Sequence, residues 1–173
     1  MTQVISALFY IQAALATPSL PVVESVDLKQ YQGIWYEISR LPNFFQRGCE
    51  ASKATYTLKE DSLFEVLNEC REESPDGPLS SITGRAWPKD ETNAKLKIQF
   101  VWPFTGNYWI TELADDYSWV VVGDPSRKYL WIMARTPKMD EGLYQELLER
   151  ARAKEFDVST LIRTRHSLEQ GFE

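Results

Sequence analysis

The sequence predicts an all-β chain, an eight-stranded antiparallel meander in a sandwich or barrel with one helix near the C-terminus, and three observations lead there. Between Trp35 and Arg135, short runs of alternating apolar and polar residues are separated by turn signals at hairpin spacing. Residues 140–154 then carry Leu143, Leu147 and Ala151, with Tyr144 and Leu148 beside them, at helical spacing. The third observation is an aromatic content of 13%, with 6 Trp, 8 Tyr and 8 Phe, which exceeds what a minimal core needs and leaves rings to line a cavity. A chain of 173 residues with 43% hydrophobic residues is read as one domain.

The chain is organised around Gly33-Ile34-Trp35-Tyr36-Glu37. A turn-prone lead-in, Asp27 to Gln32, reaches a glycine that lets the chain turn sharply, and the indole that follows is large enough to plug the floor of a small barrel. Strands are expected at 34–40, 52–58, 63–71, 80–87, 94–101, 107–113, 117–123 and 129–135, with breaks such as Ser74-Pro75-Asp76-Gly77-Pro78 and Asp124-Pro125-Ser126-Arg127. In Lys95-Leu96-Lys97-Ile98-Gln99-Phe100 the lysines must stay in water, so Leu96, Ile98 and Phe100 face inward. Ile82, Gly84 and Ala86 share a face whose small residues leave space. Alternation assigns Tyr117, Trp119 and Val121 inward. Tyr129, Trp131, Met133 and Arg135 share one face of the last strand, and Leu130, Ile132 and Ala134 share the other. Both faces are apolar, so the helix is expected to cover the outer one. Asp140 and Glu141 suit its N-terminus, and Arg150, Arg152 and Lys154 its C-terminus. Thr160 to Thr164 is read as a possible ninth strand.

A net charge of -6 and a pI near 5.0 argue against nucleic acid or another polyanion as partner. Val4 to Ala16 form an apolar run ending in Ala14-Leu15-Ala16, which is read as a signal peptide over residues 1–16, leaving residues 17–173 as the single domain. The run is too short to span a bilayer, which takes roughly 20 residues. Two cysteines in an exported chain, Cys49 and Cys70, are expected to form a disulfide. There is no Gly-rich phosphate loop, no Cys/His cluster and no His-Glu-x-x-His helix, so neither a metal nor a cofactor is expected. The single histidine, His166, is read as a surface residue. Glu37 and Glu112 are the candidates for paired-carboxylate chemistry, but a structural role is preferred for both. In that role Arg135 stacks on Trp35, closes the floor, and takes Glu37 or Glu112 as the acceptor for its charge.

Several of these pieces, in order, resemble the lipocalin family, and within it the bacterial outer-membrane and plant temperature-induced branch. Gly33-x-Trp35-Tyr36-Glu37 is similar to the family's first motif, Asp116-Tyr117 to its second, with Asp115 where threonine is common, and Arg135 before Thr136-Pro137 to its third. Gly106-x-Tyr108-Trp109, the run from Val122 to Ile132, and Phe156-Asp157-Val158-Ser159 are similar to that branch in particular. The resemblance covers about residues 26–166.

It implies an eight-stranded antiparallel up-and-down β-barrel, closed at one end, with the C-terminal α-helix packed on its outside and a cavity for one apolar ligand. A fatty acid, a lysophospholipid or a similar lipid is the implied ligand, with peripheral membrane contact as a further partner, in a monomer or homodimer. An exported location follows, in the periplasm, at the outer membrane or secreted. Some bacterial relatives are anchored through an N-terminal cysteine, which this sequence lacks, so a soluble exported form is expected. Relatives that are enzymes use a cavity cysteine; Cys49 is expected in a loop and paired, so the chain is not expected to be an enzyme. A lipid- or isoprenoid-modifying enzyme using the same cavity is the alternative.

Strand parity supplies the lining: Tyr56, Val66, Ile82, Ala86, Ile98, Phe100, Tyr108, Ile110, Trp119, Val121, Tyr129, Trp131 and Met133. Phe44 and Phe45 are expected in a loop over the mouth, and Gly33, Trp35, Glu37, Glu112 and Arg135 in the floor.

Overall fold

The computed structural model describes residues 19–167; the expected leader at 1–16 lies outside the described residues. The elements are α1 (Leu28–Tyr31), β1 (Gly33–Arg40), β2 (Cys49–Leu58), β3 (Phe64–Glu72), β4 (Leu79–Pro88), β5 (Lys95–Gln99), β6 (Gly106–Leu113), β7 (Trp119–Gly123), β8 (Leu130–Ala134), α2 (Glu141–Ala153) and β9 (Ile162–Arg163). Strands β2 to β8 pair in sequence order and antiparallel, β8 pairs with β1, and β1 pairs back onto β2, so the sheet closes into an eight-stranded barrel. Closure removes the free edges that an open sheet would expose.

Closure is uneven along β1. Its first half pairs with β2, from Gly33 opposite Tyr56 to Tyr36 opposite Lys53. Beyond that point a register shift between Glu37 and Ser39 turns β1 away from β2, and β9 pairs with Ser39 and Arg40. Thr164 N donates to Ile38 O at 3.0 Å and Ala51 N to Arg165 O at 2.8 Å, so the C-terminal segment fills the gap between β1 and β2. The last stretch is thus wall, as well as tail.

Two apolar clusters lie on opposite faces of the sheet. The inner one holds Trp35, Tyr56, Phe64, Val66, Leu96, Tyr108, Ile110, Val120, Val122 and Met133. The outer one holds Ile38, Val121, Leu130, Ile132 and Ala134 under Tyr144, Leu147 and Ala151 of α2. Asp140 caps α2 by accepting from Leu143 N at 2.9 Å. Burying a leucine such as Leu147 contributes about 1.5–3 kcal/mol, which is what holds the helix against the wall.

Strict alternation misassigns two residues. Trp119 and Val121 belong to the outer cluster beneath α2, while Val120 and Val122 point into the barrel. The cause is the turn before β7: Tyr117 has φ of 59°, its N–H donates to Ala114 O, and β7 begins only at Trp119. A left-handed residue reverses the parity counted through it.

Candidate functional site

The closed end is built around one cation. The Arg135 guanidinium lies over the Trp35 ring, 3.7 Å from its centroid. It donates to four backbone carbonyls, Ile34 O at 2.9 Å, Gln30 O at 2.7 Å, and Tyr31 O and Tyr117 O at 3.2 Å. Its pKa is held below the ordinary value chiefly by burial. Gly33, with φ of +101°, sits where an added Cβ would come within 3.3 Å of the Arg135 Nη1 atom, so both conformation and room favour glycine there. Trp35 Nε1 donates to Tyr31 O at 2.8 Å, which fixes α1 across the opening. Asp27 caps α1 through its side chain, and its N–H donates to the Tyr117 hydroxyl at 2.9 Å.

Neither glutamate expected beside Arg135 is there. A register shift between Ile110 and Glu112 turns Glu112 to the outer face, where Arg150 Nη1 meets it at 3.1 Å and Lys154 pairs with it. Glu37 faces inward but two residues farther along β1 than Trp35, paired with Arg40 at 2.6 Å. Backbone carbonyls satisfy Arg135 instead. The two glutamates therefore lie on opposite faces of the sheet and do not form a carboxylate pair.

Above the floor and below the Glu37–Arg40 pair, apolar side chains and three hydroxyls line the inner wall. Tyr56, Val66, Ala86, Tyr108, Ile110 and Met133 are buried in the inner cluster, with Ile98, Phe100 and Trp131 half-buried against it. Gly84 leaves room for the Phe100 ring, whose Cδ1 atom would lie 2.5 Å from an added Cβ. Ile82, two residues toward the open end on the same face of β4, is 44% exposed. Tyr31 on α1, which was read only as part of a turn, brings a third phenol to Tyr56 and Tyr108.

At the open end a clasp holds the β1–β2 loop. Arg40 and Glu37 both face inward because the register shift in β1 puts the two three residues apart on one face. Arg40 Nη2 donates to Gln46 O at 3.1 Å and Cys49 O at 3.0 Å. Gln46 Nε2 donates to Glu37 Oε2 at 2.7 Å, while Gln46 Oε1 accepts from Trp131 Nε1 at 2.9 Å. Thr164 hydrogen-bonds the same carboxylate. Phe45 then lies against Tyr129 and Trp131, whose rings stack with an interplanar angle of 7°. The Cys49–Cys70 disulfide, with Cα atoms 5.4 Å apart, ties the start of β2 to β3 at this end.

The rim itself is apolar. Phe44 is 76% exposed, Trp102 80% and Phe104 75%, and Leu79 and Val101 are exposed beside them. Residues 41–48 and 100–106, the two loops that carry most of these rings, include no acidic residue and one cation, Arg47. Arg40, Gln46 and Tyr31 are the site residues that sequence reasoning missed. Alternation places Arg40 outside, and only the bulge brings it in.

The comparisons agree with this geometry. The family profile described as a Lipocalin-like domain matches residues 26–166. Temperature-induced lipocalin-1 of Arabidopsis thaliana is 37% identical over 156 residues, spanning 86% of this chain and 83% of its own. Outer membrane lipoprotein Blc of Escherichia coli (strain K12) is 38% identical over 159 residues, spanning 88% of this chain and 89% of its own. The solved structure of insecticyanin from the tobacco hornworm Manduca sexta superposes with a TM-score of 0.69 over 90% of this chain and 89% of that one, a likeness of fold at 18% identity.

Proposed function

This chain belongs to the lipocalin family, whose barrels bind small hydrophobic ligands, and on that premise we propose that it takes up a single-chain lipid, a fatty acid or lysophospholipid, and stores or carries it unchanged. The observation that carries this reading is the contrast between the two ends. One is sealed by Arg135 over Trp35 and the other is ringed by exposed apolar side chains. A chain entering from the rim passes the Phe45, Tyr129 and Trp131 rings and meets an apolar wall down to the tyrosines. Each buried methylene contributes about 0.8 kcal/mol, so ten give about 8 kcal/mol before ordering costs, which supports micromolar or tighter binding.

The rim also fits a lipid bilayer. The exposed aromatic side chains of loops 41–48 and 100–106, which carry Arg47 and no acidic residue of their own, enter the headgroup boundary favourably, with the acidic turn of Glu72, Glu73 and Asp76 beside them at the same end. The reading therefore places the protein in an exported compartment, at the envelope or secreted, in peripheral contact with a membrane from which it collects its ligand.

Native mass spectrometry of the protein incubated with palmitate and with lysophosphatidylcholine tests the carrier reading. One lipid per chain, recovered chemically unchanged and bound more weakly by Trp131→Ala, is expected. No adduct with either lipid, or a product of altered mass, overturns it. Flotation with phosphatidylcholine vesicles tests the rim: Phe44→Ser/Trp102→Ser is expected to stay in the soluble fraction while the parent floats, and equal partition of the two refutes the docking.

A further inference from the structure

The three phenols at the base of the barrel hold an unspent proton. Tyr56 donates its hydroxyl to Tyr108 Oη at 2.9 Å, and the Tyr31 and Tyr108 hydroxyls share one hydrogen bond of 2.6 Å. Three hydroxyls own three protons, and the two bonds among them use two. If Tyr108 donates to Tyr31, the Tyr31 proton is left over; if Tyr31 donates, the Tyr108 proton is. No other partner for any of the three appears among the described residues. A buried donor without an acceptor is costly, so the cluster is built to receive one.

The acceptor it suits is neutral. Burial pushes all three phenols above their ordinary range, Tyr31 and Tyr108 farthest, so they stay protonated donors at any physiological pH. The same desolvation penalises a carboxylate brought to this spot. Arg135, the cation that acts on Tyr31, is spent on four carbonyls and stacked on Trp35. Tyr31 lies against that same ring, its centroid 5.1 Å from that of Trp35, so the cluster sits directly on the floor of the barrel.

We infer that the Tyr31–Tyr108–Tyr56 cluster is a subsite for a neutral oxygen, a hydroxyl or carbonyl, at the leading end of an aliphatic ligand. This rests on the carrier reading and narrows it: the preferred ligand carries oxygen at the end of the chain remote from its headgroup. A plain fatty acid fills the barrel but leaves the spare proton unanswered; a chain hydroxylated or oxidised to a ketone near its far end answers it.

The test compares palmitate with ω-hydroxypalmitate by isothermal titration calorimetry on the full chain. The two share a carboxylate and a length and differ only in the deep end. ω-Hydroxypalmitate is expected to bind about 3- to 10-fold more tightly, the worth of one buried hydrogen bond. In the triple variant Tyr31→Phe/Tyr56→Phe/Tyr108→Phe, which keeps the rings and removes every phenolic proton, the ratio of the two affinities falls to unity; each single variant still leaves a spare proton and keeps part of the preference. Equal affinity of the two lipids for the parent overturns the subsite and leaves the carrier reading standing. A preference that survives undiminished in the folded triple variant assigns the oxygen elsewhere and likewise overturns it. If neither lipid binds the folded parent, the carrier reading fails and the subsite falls with it.

Discussion

Replacing Arg40 with methionine should damage this protein more than removing the whole ion pair to which it belongs. Arg40 and Glu37 are each 5% exposed and 2.6 Å apart, inside the barrel wall near the rim. Truncating the arginine leaves a buried carboxylate with only Gln46 and Thr164 as donors. Stranding one partner of such a pair costs about 3–5 kcal/mol, whereas replacing both by neutral groups of similar volume is often close to neutral. The Arg40→Met variant should therefore lose about 4 kcal/mol, a fall in melting temperature of about 8–16 °C for a domain of this size. The double variant Glu37→Gln/Arg40→Met should recover at least half of that loss. Some cost remains in the double variant, because Arg40 also donates to Gln46 O and Cys49 O. Urea unfolding followed by far-ultraviolet circular dichroism measures all three proteins on one scale. A double variant no more stable than Arg40→Met refutes the reasoning, since it means that the guanidinium acts through the loop carbonyls and that the carboxylate never needed it.

Three further outcomes follow from other parts of the barrel. Arg135→Lys keeps the charge but loses the planar fork that reaches four carbonyls and stacks on Trp35; a loss of about 2 kcal/mol, about 4–8 °C in a thermal melt, is expected, and an unchanged melt rejects the floor described here. Cys49→Ser/Cys70→Ser opens a crosslink spanning 21 residues, and about 3 kcal/mol should be lost in urea unfolding relative to the oxidised parent, with reduction of the parent giving the same value. The carboxyls of Asp27 and Asp116 are held below the ordinary carboxylate range, the first by the Gln30 side chain and the Lys29 backbone, the second by Ser118. A depressed folded-state pKa contributes stability above the ordinary value of 3.8, and this is lost as pH falls through the folded value. Asp27→Asn/Asp116→Asn should lower the stability–pH curve slightly above about pH 6 and flatten its acid side, so that variant and parent converge as pH falls below about 4, and a parallel offset at all pH values rejects the assignment.

Much of the barrel was legible because most of its strands run without interruption. Lys95-Leu96-Lys97-Ile98 and Leu130-Trp131-Ile132-Met133 alternate strictly, and their inward and outward faces follow from counting by two. Tyr56, Val66, Ala86 and Tyr108 follow in the same way. The count fails at three slips: the left-handed Tyr117 before β7, the register shift at Ile110–Glu112, and that at Glu37–Ser39. Such a slip leaves no compositional mark, so Trp119 and Val121 are assigned to the wrong face, Glu112 is expected in the floor, and Arg40 goes unnoticed. Tyr31 escaped for a different reason. A helix of four residues has no periodicity to detect, and only its Asp27 cap hints at it.

These slips coincide with the places where something other than a neighbouring strand is attached to the wall. The shift in β6 turns Glu112 outward onto Lys154 and Arg150, binding the C-terminal end of α2 to the sheet. The shift in β1 turns Arg40 inward beside Glu37, and that pair grips the mouth loop through Gln46 and the returning C-terminal segment through Thr164. The turn at Tyr117 lends its hydroxyl to Asp27 and its carbonyl to Arg135, fastening α1 over the floor. A strictly alternating strand presents each polar side chain to the face that its number dictates. An attachment on the other face therefore requires a break in register, and the positions least readable from alternation are those where helix, tail and lid join the barrel.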